Sequence, residues 1–168
     1  DDGALQVILD LFSDAGFQLM TVPELAPELL PAPGSATRAT PARCDEQEAQ
    51  RGMAVIAAMG AADVGQACVI SRGVVLAVEI AAGTDWVLDT LRNRPADLPE
   101  GGVLVKALKP GQDRRADLPT IGPGTIRAAA AAGLRGVVVE AGGVLVIDEA
   151  EAVAEADRLG LFLWIRSP

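Results

Sequence analysis

Between Val103 and Thr125 the chain reads VLVKALKPGQDRRADLPTIGPGT. Lys106, Lys109, Arg114 and Arg115 fall within ten positions beside Asp113 and Asp117, on a chain that has only 14 basic residues and a net charge of −9. Cations gathered beside carboxylates on an acidic protein suit an anion, with a metal ion as a second ligand. The segment closes on Gly122-Pro123-Gly124-Thr125 at the head of an Ala-rich stretch. There the unpaired N–H groups of a helix N-terminus favour a phosphate. The plain structural alternative is a surface loop stitched by ion pairs that contribute little. Against it, the loop follows an apolar strand-like run, where sites of α/β proteins tend to lie, and it carries both signs of charge.

The chain contains no His. This excludes Ser–His and Cys–His nucleophile pairs and His-ligated zinc within it. Acid–base and metal chemistry falls to Asp and Glu, whose oxygens favour Mg²⁺ or Mn²⁺. A second constellation is EIAAGTD, Glu79 to Asp85. A strand there ends in a carboxylate and a Gly-Thr-Asp turn opens a helix. Gly83 and Thr84 offer N–H and hydroxyl donors to phosphate or ribose, and Glu79 or Asp85 is placed to bind metal. The plain reading is a helix cap beside an exposed Glu. Asp63-Val64-Gly65-Gln66 and Glu140-Ala141-Gly142-Gly143 read as turns. No Walker A lysine and no GxGxxG after a strand is present.

These residues need elements to hold them. Leu5, Ile8, Leu9 and Phe12 follow helical spacing up to Gly16. Phe17 to Val22 reads as a strand, and Pro23 to Pro41, with five prolines, as a loop. Thr40-Pro41 predicts a helix start, with Ala49, Met53, Ile56 and Gly60 on one small apolar face. Gln66 to Ser71 and Val74 to Ile80 predict a hairpin turning at Arg72-Gly73. Thr84 predicts a cap for a helix through Arg92. Val103 to Leu108 reads as a strand and Pro123 to Ala132 as a helix. A second hairpin is expected from Val137 to Glu140 and Val144 to Ile147. Asp148 and Glu151 read as a capping box before a helix ending near Gly160, and Leu161 to Ile165 as a last strand. The fold class is α/β, a mixed β-sheet with hairpins, flanked by helices.

Composition narrows the functions. Half of the 168 residues are apolar, enough for one real core. The acidic balance argues against nucleic-acid binding and against a polybasic membrane anchor. Cys44 and Cys68 have no metal-type spacing and are expected as reduced thiols of a cytosolic protein. No run reads as a membrane span or a signal peptide. The chain begins at Asp1 without Met, so a longer protein with a further domain is expected.

The segments DVGQACV (63–69), VVLAVEIAAGTD (74–85), the stretch 103–125, AAAGLRGVVVEAGGVLVID (130–148) and AEADRLGLFLW (154–164) follow one another along most of the chain. Together they resemble the UDP-2,3-diacylglucosamine pyrophosphatases of the LpxI type, from lipid A synthesis; KPxQDxRxDLPTIG is the specific part. The resemblance covers that family's C-terminal domain and implies a nucleotide-fold-like N-terminal domain of the same protein, absent from this chain. It implies Mg²⁺- or Mn²⁺-assisted hydrolysis of UDP-2,3-diacylglucosamine to UMP and 2,3-diacylglucosamine 1-phosphate (lipid X). The acyl chains would lie between the two domains. Asp117 becomes the first choice for the essential carboxylate and Asp113 the second. Lys109, Gln112 and Arg115 would hold phosphate oxygens. Thr84, Thr120, Gly83, Gly122 and Thr125 would add donors. Glu79, Asp85 and Glu140 would join Asp117 as metal carboxylates. Ile80-Ala81-Ala82 departs from the family's more acidic approach to the Gly-Thr-Asp turn. A cytoplasmic protein, at most peripheral to the inner membrane and with a homodimer as one assembly, is expected. The alternative is a non-catalytic phospholipid- or nucleotide-sugar-binding module, or a dimerisation module using its apolar hairpin.

Overall fold

Short runs of Val, Ile, Leu and Ala at 67–71, 103–106 and 136–140 form strands buried on both faces, and Ala-rich amphipathic stretches form helices that cover them. A computed structural model describes residues 2–110 and 118–167. In chain order the elements are α1 (Asp2–Asp14), α2 (Val22–Leu25), a 3₁₀ turn (Pro27–Leu29), β1 (Gly34–Ser35), α3 (Arg43–Gly60), β2 (Ala67–Ser71) and β3 (Val74–Val78). Then come α4 (Gly83–Arg92), β4 (Val103–Lys106), β5 (Thr120–Ile121), α5 (Pro123–Ala131), β6 (Gly136–Glu140), β7 (Leu145–Val146), α6 (Glu149–Leu159) and β8 (Phe162–Arg166).

The main sheet has six strands in the order β1-β8-β6-β4-β2-β3. β4, β6 and β8 are parallel, while β2 is antiparallel to both β4 and β3. β3 therefore points the same way as β4, and β3, β4, β6 and β8 all end at one edge. Alternation along each strand divides the core. Val69, Leu104, Val137, Val139 and Leu163 face α4, α5 and α6, whereas Cys68, Ile70, Val105, Val138 and Phe162 face α3. The result is a mixed sheet between two helical layers, as the alternating pattern predicts.

Several local expectations change. Residues 17–21 form no strand; Thr21 and Glu24 make a capping box with Pro23 inside it, which starts α2 instead. α3 starts at Arg43 rather than at Pro41, because Asp45 reaches back to the Ala42 N–H (2.9 Å). Thr84 lies within α4 and caps no backbone group; its hydroxyl turns to Glu79. Asp148 sits at φ 49° and makes no side-chain cap. The first hairpin forms as predicted, with Arg72 at φ 48° and Gly73 at φ 75°. The second does not. Both edges of β6 are taken by β4 and β8, so β7 pairs in parallel with β5. Among the described residues no helix is long and apolar enough to cross a membrane.

Gly52 lets α3 lie close on the sheet, since a Cβ there would come 2.5 Å from Val105 Cγ2. Gly52→Ala is expected to destabilise the fold by about 1–3 kcal/mol, read from the denaturant midpoint. Burial pushes the Cys68 thiol up to about 12, while Cys44 is exposed. One thiol should label fast in the native protein and two after unfolding. The contribution of Cys68 is complete below the unfolded thiol pKa of about 8.5 and is lost as pH climbs toward the folded value.

Candidate functional site

β4 ends on Lys106 with the parity of Leu104, so the lysine side chain stands on the α4–α6 face of the sheet. Its neighbours in register are Ala67 of β2 and Val139 of β6. One strand further out, the Glu79 N–H donates to the Ala67 carbonyl (2.8 Å), which places Glu79 just past the end of β3. The small Ala67 side chain lies between the two charges. Lys106 Nζ donates to Thr84 Oγ1 (2.7 Å) and lies 3.6 Å from Glu79 Oε1. The Thr84 hydroxyl donates to that same Glu79 oxygen, and Glu79 Oε2 accepts the Gln66 N–H (3.0 Å). The Lys106 and Glu79 side chains are only 8% and 9% exposed, which takes this pair out of the class of weak surface bridges. Gly65 makes room for the turn, because a Cβ there would collide with the Glu79 carbonyl.

The same strand edge anchors the loop that follows β4. Glu140, the last residue of β6, accepts the Leu108 N–H through Oε2 (3.1 Å). A Cβ on Gly143 would come 2.8 Å from that oxygen. Lys109 Nζ pairs with Asp63 Oδ1 at 2.5 Å, and Gly60 at the end of α3 packs on Pro110. On the far side of the loop the Leu145 N–H donates to the Pro119 carbonyl (2.8 Å), and Thr120 Oγ1 donates to the Leu118 carbonyl (3.0 Å). α5 then begins, with the Gly122 N–H on Thr125 Oγ1 (3.5 Å). Pro123 occupies the first helical position, so Gly124 and Thr125 carry the first-turn N–H groups that no helix carbonyl takes.

The structure thus brings Glu79, Gly83, Thr84, Lys106, Lys109, Glu140, Thr120, Gly122 and Thr125 to one edge of the fold. Asp85 is exposed on the first turn of α4, where the helix dipole favours its charge. Gln112, Asp113, Arg114, Arg115 and Asp117 lie outside the described residues. Among the described residues, no three Asp, Glu, Cys or His side chains come together in a way that could hold a metal ion. Glu79 has both oxygens engaged, and Glu140 has one. The expected quartet of carboxylates therefore finds no metal geometry in its described members.

Two pairings were not apparent in the sequence. Lys106 belongs with Glu79 and Thr84 rather than with Lys109, and Asp63 serves Lys109. The strand parity of Lys106 was the available signal for the first. Other charged groups lie elsewhere. Arg135 holds Asp45 (2.6 and 2.8 Å) and Glu48 (2.7 Å) at the opposite edge, before β6 begins. Burial alone would lower its pKa, but the hydrogen bond and the charge of Asp45, with the charge of Glu48, raise it. A cleft of about 650 Å³ lined by Glu46, Gln50, Trp164 and Arg166 opens beside α3 and includes neither Lys106 nor Glu79.

The family model described as LpxI C-terminal domain matches residues 32–164. A curated UDP-2,3-diacylglucosamine pyrophosphatase LpxI from Caulobacter vibrioides is 42% identical over 172 residues, covering 97% of this chain and 60% of that protein. The chain spans about 60% of the length of the curated relative it matches.

Removing one partner of the buried pair separates its charge from its packing. Glu79→Ala leaves Lys106 without its counter-charge and is expected to lower stability by about 3–5 kcal/mol, read from chemical denaturation. A loss below about 1 kcal/mol would mean that the pair is solvated like a surface bridge.

Proposed function

This chain belongs to the LpxI C-terminal domain family, and from that premise we propose that it forms the C-terminal part of a protein that hydrolyses UDP-2,3-diacylglucosamine. The products are UMP and 2,3-diacylglucosamine 1-phosphate. The observation that carries this reading is the family match over residues 32–164, which encloses KPGQDRRADLPTIG and the strand edge where that segment begins and ends. The name of the Caulobacter relative supports the substrate.

A pyrophosphate carries several negative charges, and its hydrolysis needs cations, oriented N–H donors and a positioned water. Lys109, Gln112 and Arg115 are the proposed ligands of the phosphate oxygens, with the first-turn N–H of Thr125 beside them; the expected Gly83 and Gly122 N–H groups already donate to the Ile80 carbonyl (2.8 Å) and to Thr125 Oγ1 (3.5 Å). Asp117 is the essential carboxylate that orients water, seconded by Asp113. In a chain without His, a carboxylate is the group able to take the water proton near neutral pH. Mg²⁺ or Mn²⁺ is the proposed cofactor, with Asp117 as its first carboxylate. Such an ion would neutralise pyrophosphate charge. An N-terminal domain of the same protein would supply the other wall of the site, so this chain alone is weak or inactive. The reaction is placed in the cytoplasm, at most peripheral to the inner membrane.

In the intact protein, Asp117→Asn is expected to lower kcat for UMP and lipid X release by about a hundredfold or more, with an unchanged melting temperature. Wild-type turnover in that variant would overturn the assignment of Asp117.

A further inference from the structure

Donor counting at the Lys106 cluster points to a binding residue that the loop motif does not contain. Thr84 has a single hydroxyl proton, and it is given to Glu79. Its oxygen also accepts from Lys106 Nζ at 2.7 Å. Thr84 therefore has no proton left for a ligand. An ammonium has three N–H donors and no acceptor. Lys106 gives one to Thr84, and its 3.6 Å approach to Glu79 Oε1 is a charge contact beyond hydrogen-bond range. Among the described residues Lys106 has no further hydrogen-bond partner, and its side chain keeps a small opening of 8% exposure.

The energetics also speak for a functional pair. A buried ion pair replaced by apolar residues of similar volume is often neutral or stabilising, so packing alone does not call for Lys106 and Glu79. A buried charge with a fixed partner at a strand edge is the kind of group found in binding sites. The residue lies at the end of central strand β4, with the N-termini of α4 and α5 at the same edge. Those N-termini favour a negative ligand, and a compact ammonium binds a phosphoryl oxygen as a point charge. In so dry a place its interaction with an anion is stronger than at the surface.

We infer that Lys106 is a substrate-binding residue: a remaining ammonium N–H donates to a phosphoryl oxygen of a diphosphate. Glu79 and Thr84 are positioning residues that hold the ammonium at the strand edge. Glu79 is thereby the counter-charge of a lysine and not the metal ligand suggested by its type, because Thr84, the Gln66 N–H and Lys106 already engage its oxygens. This inference rests on the hydrolase reading for the identity of the diphosphate.

The test uses the intact protein, inorganic pyrophosphate as the calorimetric probe, and steady-state release of UMP from UDP-2,3-diacylglucosamine. Lys106→Met, and the charge-free double variant Glu79→Leu with Lys106→Met, are expected to bind pyrophosphate about tenfold or more weakly, the scale of one charge-assisted hydrogen bond. The loss should appear in KM more than in kcat. The double variant should melt at or above the wild-type temperature. Thr84→Ser, which keeps the hydroxyl, should stay within about threefold of wild type. Pyrophosphate binding by the folded double variant within about threefold of wild type overturns the inference. So does a double variant that cannot fold, because the pair is then structural. If the wild type binds pyrophosphate through Lys106 but releases no UMP, the hydrolase reading fails while the Lys106 site stands.

Discussion

The buried contact between Lys106, Thr84 and Glu79 ties the end of β4 to the start of α4 and the end of β3. Two opposite charges in a core of Val, Leu, Ile and Ala are stable only if each has a fixed partner. That requirement sets the positions of three elements at once. β2 must run between the two strands with a small residue, Ala67, in register with Lys106, and Gly65 must let the chain pass the Glu79 carbonyl. α4 must begin with its first turn over Lys106. The strand edge becomes a rigid platform, and the loop after β4 starts from it.

That loop is held at both ends by groups from other parts of the chain. Glu140 takes the Leu108 N–H, Asp63 pairs with Lys109, and Gly60 accepts the close approach of Pro110. Beyond the loop, β5 and β7 form their own short parallel ladder before α5 begins. Charges and helix N-termini thus collect at one edge. The opposite edge carries the Arg135–Asp45–Glu48 cluster, which joins the start of α3 to the start of β6. One edge holds the layers together, and the other gathers Lys106, Lys109 and the starts of α4 and α5.

Much of this could be read in the residues. Apolar runs marked β2, β3, β4, β6 and β8, and Arg72-Gly73 marked the hairpin, because positive φ at a tight turn has a compositional signature. The β6–β7 hairpin failed for a reason outside local sequence: β4 and β8 took both edges of β6. The strand expected at 17–22 failed because Thr21, Pro23 and Glu24 make a stronger helix start than Phe17 and Leu19 make a strand. At the site, the charged stretch 106–115 was conspicuous, but which charge met which was not. Lys106 finds partners 22 and 27 positions away, set by sheet register. Asp113 and Asp117 lie outside the described residues, and their roles are read from the charged stretch, the absence of His and the family motif.

A strand edge that forms one wall of a diphosphate site must hold the diphosphate when it is bound. The most direct measurement is a crystal structure of the intact protein with UDP or a non-hydrolysable UDP-sugar bound. The account predicts the diphosphate at the C-terminal ends of β3, β4 and β6, with an oxygen within hydrogen-bond distance of Lys106 Nζ. A diphosphate bound elsewhere, at the Arg135 edge or beside Trp164, with Lys106 Nζ still held only by Thr84 and Glu79, would overturn it.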